Sequence, residues 1–158
     1  MTITITSLNT RSMLRLEKRA TVFRHLSTQP ADIYLLQECA IPYKEMDALL
    51  EGEWTRGDSL WSGSNTARAD GVGMLVANPF LRQTSHRVVE SGRILAVDLE
   101  VRGSPLRVIN IYGPTNVAER VSLYAKLRPL LMTPLPMIDL QTYNTVTALF
   151  YSNWGLEW

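Results

Sequence analysis

Ile33-Tyr34-Leu35-Leu36-Gln37-Glu38 is the stretch around which the rest of the chain can be ordered. Four consecutive large apolar or aromatic side chains leave no polar face, the pattern of a strand covered on both sides. Pro30-Ala31-Asp32 separates it from what precedes. Upstream, residues 2 to 8 alternate threonine with isoleucine before reaching Leu8, the period of two that marks a strand, and Asn9-Thr10 follow as turn formers. Between the two strands, Leu16, Ala20, Phe23 and Leu26 fall at helical spacing over residues 14–26. Arg15, Lys18, Arg19 and Arg24 lie mostly elsewhere on that helix and predict a basic outer surface. Strand, helix, strand is a crossover unit, which sets the first sheet up with parallel neighbours.

Downstream, Met46, Leu49 and Leu50 make a short stripe that predicts a second helix over residues 43–51. Trp54 and Trp61 flank a polar stretch, and Ser62 to Gly71 reads as a long loop. Strands are then expected over 72–77, 87–90, 94–101 and 106–112. In the third of these, Leu95, Val97, Leu99 and Val101 alternate with Ala96, Asp98 and Glu100, predicting one buried and one wetter face. Arg102-Gly103-Ser104-Pro105 suits a hairpin turn. Gly113-Pro114-Thr115 ends the last strand, and Asn116 is placed to cap a helix reaching about Leu131.

With 158 residues, 46% of them hydrophobic and 20% charged, the chain has the make-up of a globular domain. Its net charge of +1 creates no field that would by itself argue for nucleic acid or an anionic membrane, so a case for DNA has to come from a site. Cys39 is the lone cysteine, which excludes an internal disulfide and a multi-cysteine zinc site, and a small buried residue at a strand end is its ordinary reading. The first residues show neither a basic lead nor a long apolar run, and no window has the length of uninterrupted apolar sequence that a membrane span needs. The expected location is nuclear or cytoplasmic, with no membrane partner. Composition shifts near Met132, beyond which Lys and Arg are absent. The expected division is therefore a body over residues 1–131 and a divergent tail over 132–158.

Three residues stand where predicted strands end: Asn9, Glu38 and Tyr112. Ligand sites of layered α/β proteins gather at such ends, where side chains leave the sheet and converge. A carboxylate there can hold a hard cation such as Mg²⁺, while amide and phenol groups can hold phosphate oxygens. Taken singly, a strand-end Asn is a turn former, a Glu is solvated and a Tyr packs with its hydroxyl satisfied.

Taken in order, the segments Ser7-Leu8-Asn9-Thr10-Arg11, Leu35-Leu36-Gln37-Glu38-Cys39, Gly71-Val72-Gly73-Met74-Leu75 and Ile109-Asn110-Ile111-Tyr112-Gly113-Pro114-Thr115 resemble successive motifs of the endonuclease/exonuclease/phosphatase superfamily. The resemblance runs from about Ile3 to Leu131. Within the superfamily it is greatest to endonuclease domains of non-LTR, LINE-type retrotransposons, relatives of exodeoxyribonuclease III and the apurinic endonucleases. It implies the first half of a four-layer, DNase I-like α/β sandwich, with mostly antiparallel or mixed sheets and flanking helices. It also implies Mg²⁺ or Mn²⁺ as cofactor and hydrolysis of a DNA phosphodiester. By motif, Glu38 would be the metal ligand, Asn9 would bind phosphate, and Tyr112 and Asn144 would be the catalytic contacts to the scissile phosphate.

The sequence also departs from the pattern. Where the family has Gly-Asp-Phe-Asn, the matching register gives Gln141-Thr142-Tyr143-Asn144, so the asparagine is kept and Thr142 stands in place of the aspartate. A hydroxyl cannot act as a carboxylate base near neutral pH. Asp139, three residues earlier, falls on the other face of a strand and is a poor substitute. The family's closing Ser-Asp-His segment has no counterpart, and His25 and His86 lie in no such context. The expectation is a catalytically incomplete nuclease fragment, whose exposed apolar sheet face would drive self-association. The alternatives are a non-catalytic DNA-binding or interaction fragment, or a lipid or nucleotide phosphatase of the same superfamily. Gly71-Val72-Gly73 lacks the third glycine and the helix that a dinucleotide-binding loop requires.

Overall fold

The computed structural model describes residues 2–42, 44–63, 70–132 and 146–152, the last of these by its backbone. The chain opens with β1 (Ile5–Asn9), α1 (Leu16–Ser27) and β2 (Ile33–Gln37), and β1 pairs parallel with β2 as the crossover reading predicts. There follow α2 (Lys44–Glu53), β3 (Asp58–Ser62), β4 (Val72–Val76), β5 (Leu81–Glu90), β6 (Ile94–Val101), β7 (Ser104–Tyr112), α3 (Val117–Met132) and β8 (Val146–Ser152). Among the described residues the strands form two mixed four-stranded sheets, ordered β1-β2-β4-β3 and β5-β6-β7-β8.

Three apolar layers hold four structural layers together. Phe23 and Leu26 of α1 and Met46 and Leu50 of α2 pack with Trp54, Trp61, Tyr34, Leu36 and Leu75 on the outer face of the first sheet. The inner face carries Ile33, Leu35, Leu60, Met74 and Val76, which meet Leu95, Val97, Leu99, Leu106 and Val108 of the second sheet. On the far side, Leu123, Leu127 and Leu130 of α3 cover Ile94, Ala96, Ile109 and Ile111. The result is helix, sheet, sheet, helix. The expected open apolar sheet face is not found among the described residues, because the two inner faces cover each other.

Several element boundaries differ from the sequence reading. β3 fell within a stretch read as polar, because Asp58-Ser59 open it and Leu60-Trp61 alone supply apolar bulk. β5 begins six residues before the expected Arg87, since an edge strand with one exposed side needs no apolar alternation. The face of β6 read as wetter is buried by α3: Ala96 packs there, and Asp98 is paired with Arg107 at 2.6 and 2.9 Å. Nor is α1 basic on its outside throughout. Arg19 is buried and makes a two-pronged bond to Glu53 of α2 at 2.8 Å each, while its third nitrogen donates to the carbonyls of Met13 and Leu14. The stretch set apart by composition contributes β8, which runs parallel to β7 from Leu106↔Val146 to Tyr112↔Ser152.

Two local readings hold closely. The β6–β7 hairpin turns on Arg102 (φ +51°) and Gly103 (φ +82°), the two positive-φ residues of a two-residue turn whose twist matches the strands. Asn116 caps α3, its Oδ1 accepting the N–H groups of Ala118 at 2.8 Å and Glu119 at 3.2 Å.

Candidate active site

Strand direction gathers the candidate residues at one edge. β1 and β2 are parallel, so Asn9 and Glu38 leave the first sheet side by side, and antiparallel β4 brings its start, Asp70-Gly71, to the same place. From the second sheet come the end of β7, with Tyr112, and the start of β6, just after Arg93. A backbone bond joins the two sheets here, Gly71 N–H donating to Gly92 O at 3.0 Å, and within the second sheet Tyr112 N–H donates to Arg93 O at 2.8 Å.

Two residues singled out from sequence touch. The Tyr112 hydroxyl donates to Glu38 Oε1 at 3.1 Å, across 74 positions of chain. Burial, then the charge of Glu38 and the bond to it, push the Tyr112 phenol up to about 12, so it stays protonated at any physiological pH. Arg93 lies over the Tyr112 ring, 4.6 Å from its centre, and its Nη2 pairs with Asp70 Oδ1 at 2.5 Å. Burial raises the Asp70 carboxyl, and the Arg93 charge and bond act in the opposite direction. Arg93 also lines a cleft of about 260 Å³ with Glu90, Pro114, Glu119, Ser122 and Lys126.

The loops that present these groups are strained. Arg11, Ser12, Glu38 and Ala40 all have positive φ, between +50° and +82°. Each costs on the order of 1–3 kcal/mol in a non-glycine residue and persists only where its surroundings enforce it. Here the Ser12 N–H donates to Glu38 O at 2.7 Å, and Thr10 Oγ1 donates to the carbonyls of Gln37 and Glu38 at 3.1 and 3.2 Å. Asn9 stands beside Gln37 in register, exposed, with its Oδ1 accepting the Arg11 N–H at 3.0 Å. It shares the edge with Glu38 and Tyr112, and its bond goes to its own loop. Cys39 is fully buried, with its thiol pushed up to about 12 mainly by burial, the inert residue its sequence context suggests. Asn144 and Thr142 lie outside the described residues.

Sequence reasoning missed Asp70, Arg93, Gln37 and Asn110. Asp70 was absorbed into a loop, and Arg93 was not singled out. Gln37 and Asn110 did carry a signal: each is an amide inside an apolar run, and each is fully buried.

The arrangement is the Glu38 carboxylate, a phenol donor bonded to it, and a guanidinium that lies over the phenol ring and is held by a second carboxylate, Asp70. Among the described residues, no three His, Cys, Asp or Glu side chains cluster as a metal cage. Mg²⁺ is commonly held by one or two carboxylates, its other positions going to water and substrate oxygens, so Glu38 fits as a single anchoring ligand.

Solved structures share the architecture over most of this chain. TDP2 from D. rerio, in a humanised form, superposes with a TM-score of 0.59 at 16% identity over 82% of this chain and 58% of that one. The fold is DNase I-like, two sheets with flanking helices. The endonuclease domain of TRAS1, a telomere-specific non-LTR retrotransposon, gives 0.55 at 12% identity over 82% of this chain and 54% of its own. An AP endonuclease from Archaeoglobus fulgidus gives 0.54 at 19% identity over 82% and 49%. At these identities the likeness is one of fold, and the chain spans about half the length of these structures. Comparison of the sequence with protein-family models and with curated proteins gave no match.

Proposed function

We propose that this chain forms part of a divalent-metal-dependent phosphodiester hydrolase domain of retroelement origin, whose substrate is DNA, and that residues 1–158 by themselves hold an incomplete catalytic set. The observation that carries the reading is the Tyr112–Glu38 bond, made between motif residues of two sheets at a strained strand-end edge. The fold shared with an AP endonuclease and with a retrotransposon endonuclease domain supports it. In this proposal Glu38 anchors Mg²⁺ or Mn²⁺, which when bound would neutralise phosphate charge. Tyr112, protonated at neutral pH, donates its one O–H to Glu38 in the free site and would turn it to a phosphate oxygen once the metal engages that carboxylate. Asn9, whose carbonyl oxygen is engaged by Arg11, offers its N–H₂ group to the same phosphate. Arg93, pinned by Asp70, keeps the Tyr112 ring in place.

Within residues 1–158 the incompleteness rests on Thr142 in the register of the family's aspartate, and on the positions of the two histidines. His25 is exposed in the last turn of α1 and His86 is exposed on β5, neither at the site. A general acid or base contributes ~10²–10⁴-fold, and groups that act as a unit fail together. A DNA-binding fragment without turnover is therefore the second reading.

Titrating Mn²⁺ into isotope-labelled protein tests the site. Resonances of Glu38, Tyr112 and Asn9 should broaden first, and broadening centred elsewhere would remove Glu38 as the ligand. Supercoiled plasmid in Mg²⁺ should stay intact with the wild-type chain. Nicking that disappears in Glu38→Ala would show that the catalytic set is complete after all.

A further inference from the structure

The two sheets meet through apolar side chains, and apolar contact is non-directional, so it tolerates sliding of one sheet over the other. A hydrogen bond is far less forgiving of distance and angle. Besides the bonds of Gly92 to Gly71 and Ser62 at the edge, one buried side-chain cluster supplies that directional element between the facing strands. Asn110 projects from β7 into the first sheet, where its Nδ2 donates to Leu36 O at 3.0 Å and to Gly73 O at 2.8 Å. Leu36 and Gly73 are the last register pair of β2 and β4 at the candidate edge. The Asn110 amide therefore closes the end of that ladder from the opposite sheet. Its Oδ1 accepts from Gln37 Nε2 at 2.7 Å, and Gln37 Oε1 in turn accepts the Ser7 hydroxyl at 3.2 Å. Gly73 cannot be replaced here, since a Cβ would lie 2.3 Å from the Trp61 ring.

Asn110 and Tyr112 share one face of β7, two residues apart, and Gln37 immediately precedes Glu38. The amide cluster thus sits one side-chain layer behind the Tyr112–Glu38 contact, with a member adjacent to each partner. We propose that Gln37 and Asn110 are a positioning pair, which sets the register between the sheets so that the Glu38 carboxylate and the Tyr112 hydroxyl meet. This rests on the site reading above, and it assigns the two amides no contact with metal or substrate.

The test reads the Tyr112 ¹³Cζ resonance in tyrosine-labelled protein, which reports the phenol's hydrogen bond without metal or turnover. Glu38→Ala defines the resonance position of the broken bond. Asn110→Leu, of similar size but without donors, should move Tyr112 to that position. Gln37→Met leaves both carbonyl bonds of Asn110 intact, so it should fold even if Asn110→Leu does not, and it should move Tyr112 the same way. Leu127→Ala, a cavity under α3 remote from the edge, should lower the melting temperature and leave Tyr112 unmoved. Where Mn²⁺ binds the wild type, Gln37→Met should weaken it about tenfold, the usual effect of losing an outer-shell partner. A folded Gln37→Met or Asn110→Leu chain with Tyr112 at its wild-type position would reduce the bridge to a stability element. Failure of Mn²⁺ to bind the wild type would count against the metal reading alone, because the Tyr112 resonance still decides the positioning role.

Discussion

Glu38 combines a positive φ, a half-buried carboxylate and a bond from Tyr112, and its consequences can be read at the tyrosine. The Tyr112 phenol is raised from 10.0 to about 12 by burial first and by Glu38 second. A group whose folded pKa is raised contributes stability that is fully present below the unfolded pKa and is lost as pH rises through the folded one. The expected window is therefore pH 10 to about 12. Over that interval the stability advantage of wild type over Tyr112→Phe should shrink, as measured by urea midpoints. An advantage constant across the window would mean the phenol is not buried beside a carboxylate. At this scale the sequence showed that Glu38, Asn9 and Tyr112 end strands. It did not single out Arg93, although the β6–β7 hairpin that pairs Ile94 with Ile111 sets Arg93 opposite Tyr112, because a hairpin register gives neighbours and not which side chain stacks on which.

Among the elements, α3 is held to the second sheet by more than its leucines. Arg107 of β7 is buried, pairs with Asp98 of β6, and donates to Leu130 O near the helix's C-terminal end at 2.9 Å. Burial alone would raise the Asp98 carboxyl. Bonds from Arg107 and Ser85, with the charges of Arg107 and Arg87, outweigh it and hold Asp98 below the ordinary carboxylate range. A depressed folded pKa gives stability that is present above the unfolded value, roughly 3.9, and is lost as pH falls through the folded one. Acidification below about pH 4 should accordingly erode stability in wild type more than in Asp98→Asn. At neutral pH, Asp98→Asn removes the carboxylate charge that faces the buried Arg107 guanidinium and should cost about 3 kcal/mol or more in urea unfolding. Replacing both partners, as Asp98→Leu with Arg107→Met, should cost much less, since matched apolar pairs often substitute for buried ion pairs. Most elements were legible because their patterns are local. β3 and the start of β5 were not, because strand pairing can recruit polar residues whose own preference is weak.

For the whole molecule, the middle apolar layer makes one folding unit of two sheets. Leu95 is fully buried in it, facing the first sheet. Leu95→Ala should lower stability by about 2–5 kcal/mol while leaving a single cooperative urea transition, whereas separate transitions for the two sheets would refute a shared core. The sequence by itself determined the strand-helix-strand opening, the hairpin at Arg102-Gly103, the Asn116 cap and the strand-end placement of Asn9, Glu38 and Tyr112. Each of these depends on neighbours within a few residues, through side-chain period, turn conformation or capping. Tertiary structure alone decided that the two inner sheet faces cover each other, that the second face of β6 lies under α3, and that Glu38 and Tyr112 bond. It also decided that Gln37 and Asn110 bridge the layers. These pairings join residues up to 74 positions apart, and apolar periodicity says that a face is buried without saying against what. Only the packed sheets, with their hydrogen bonds fixing the register, specify the partner.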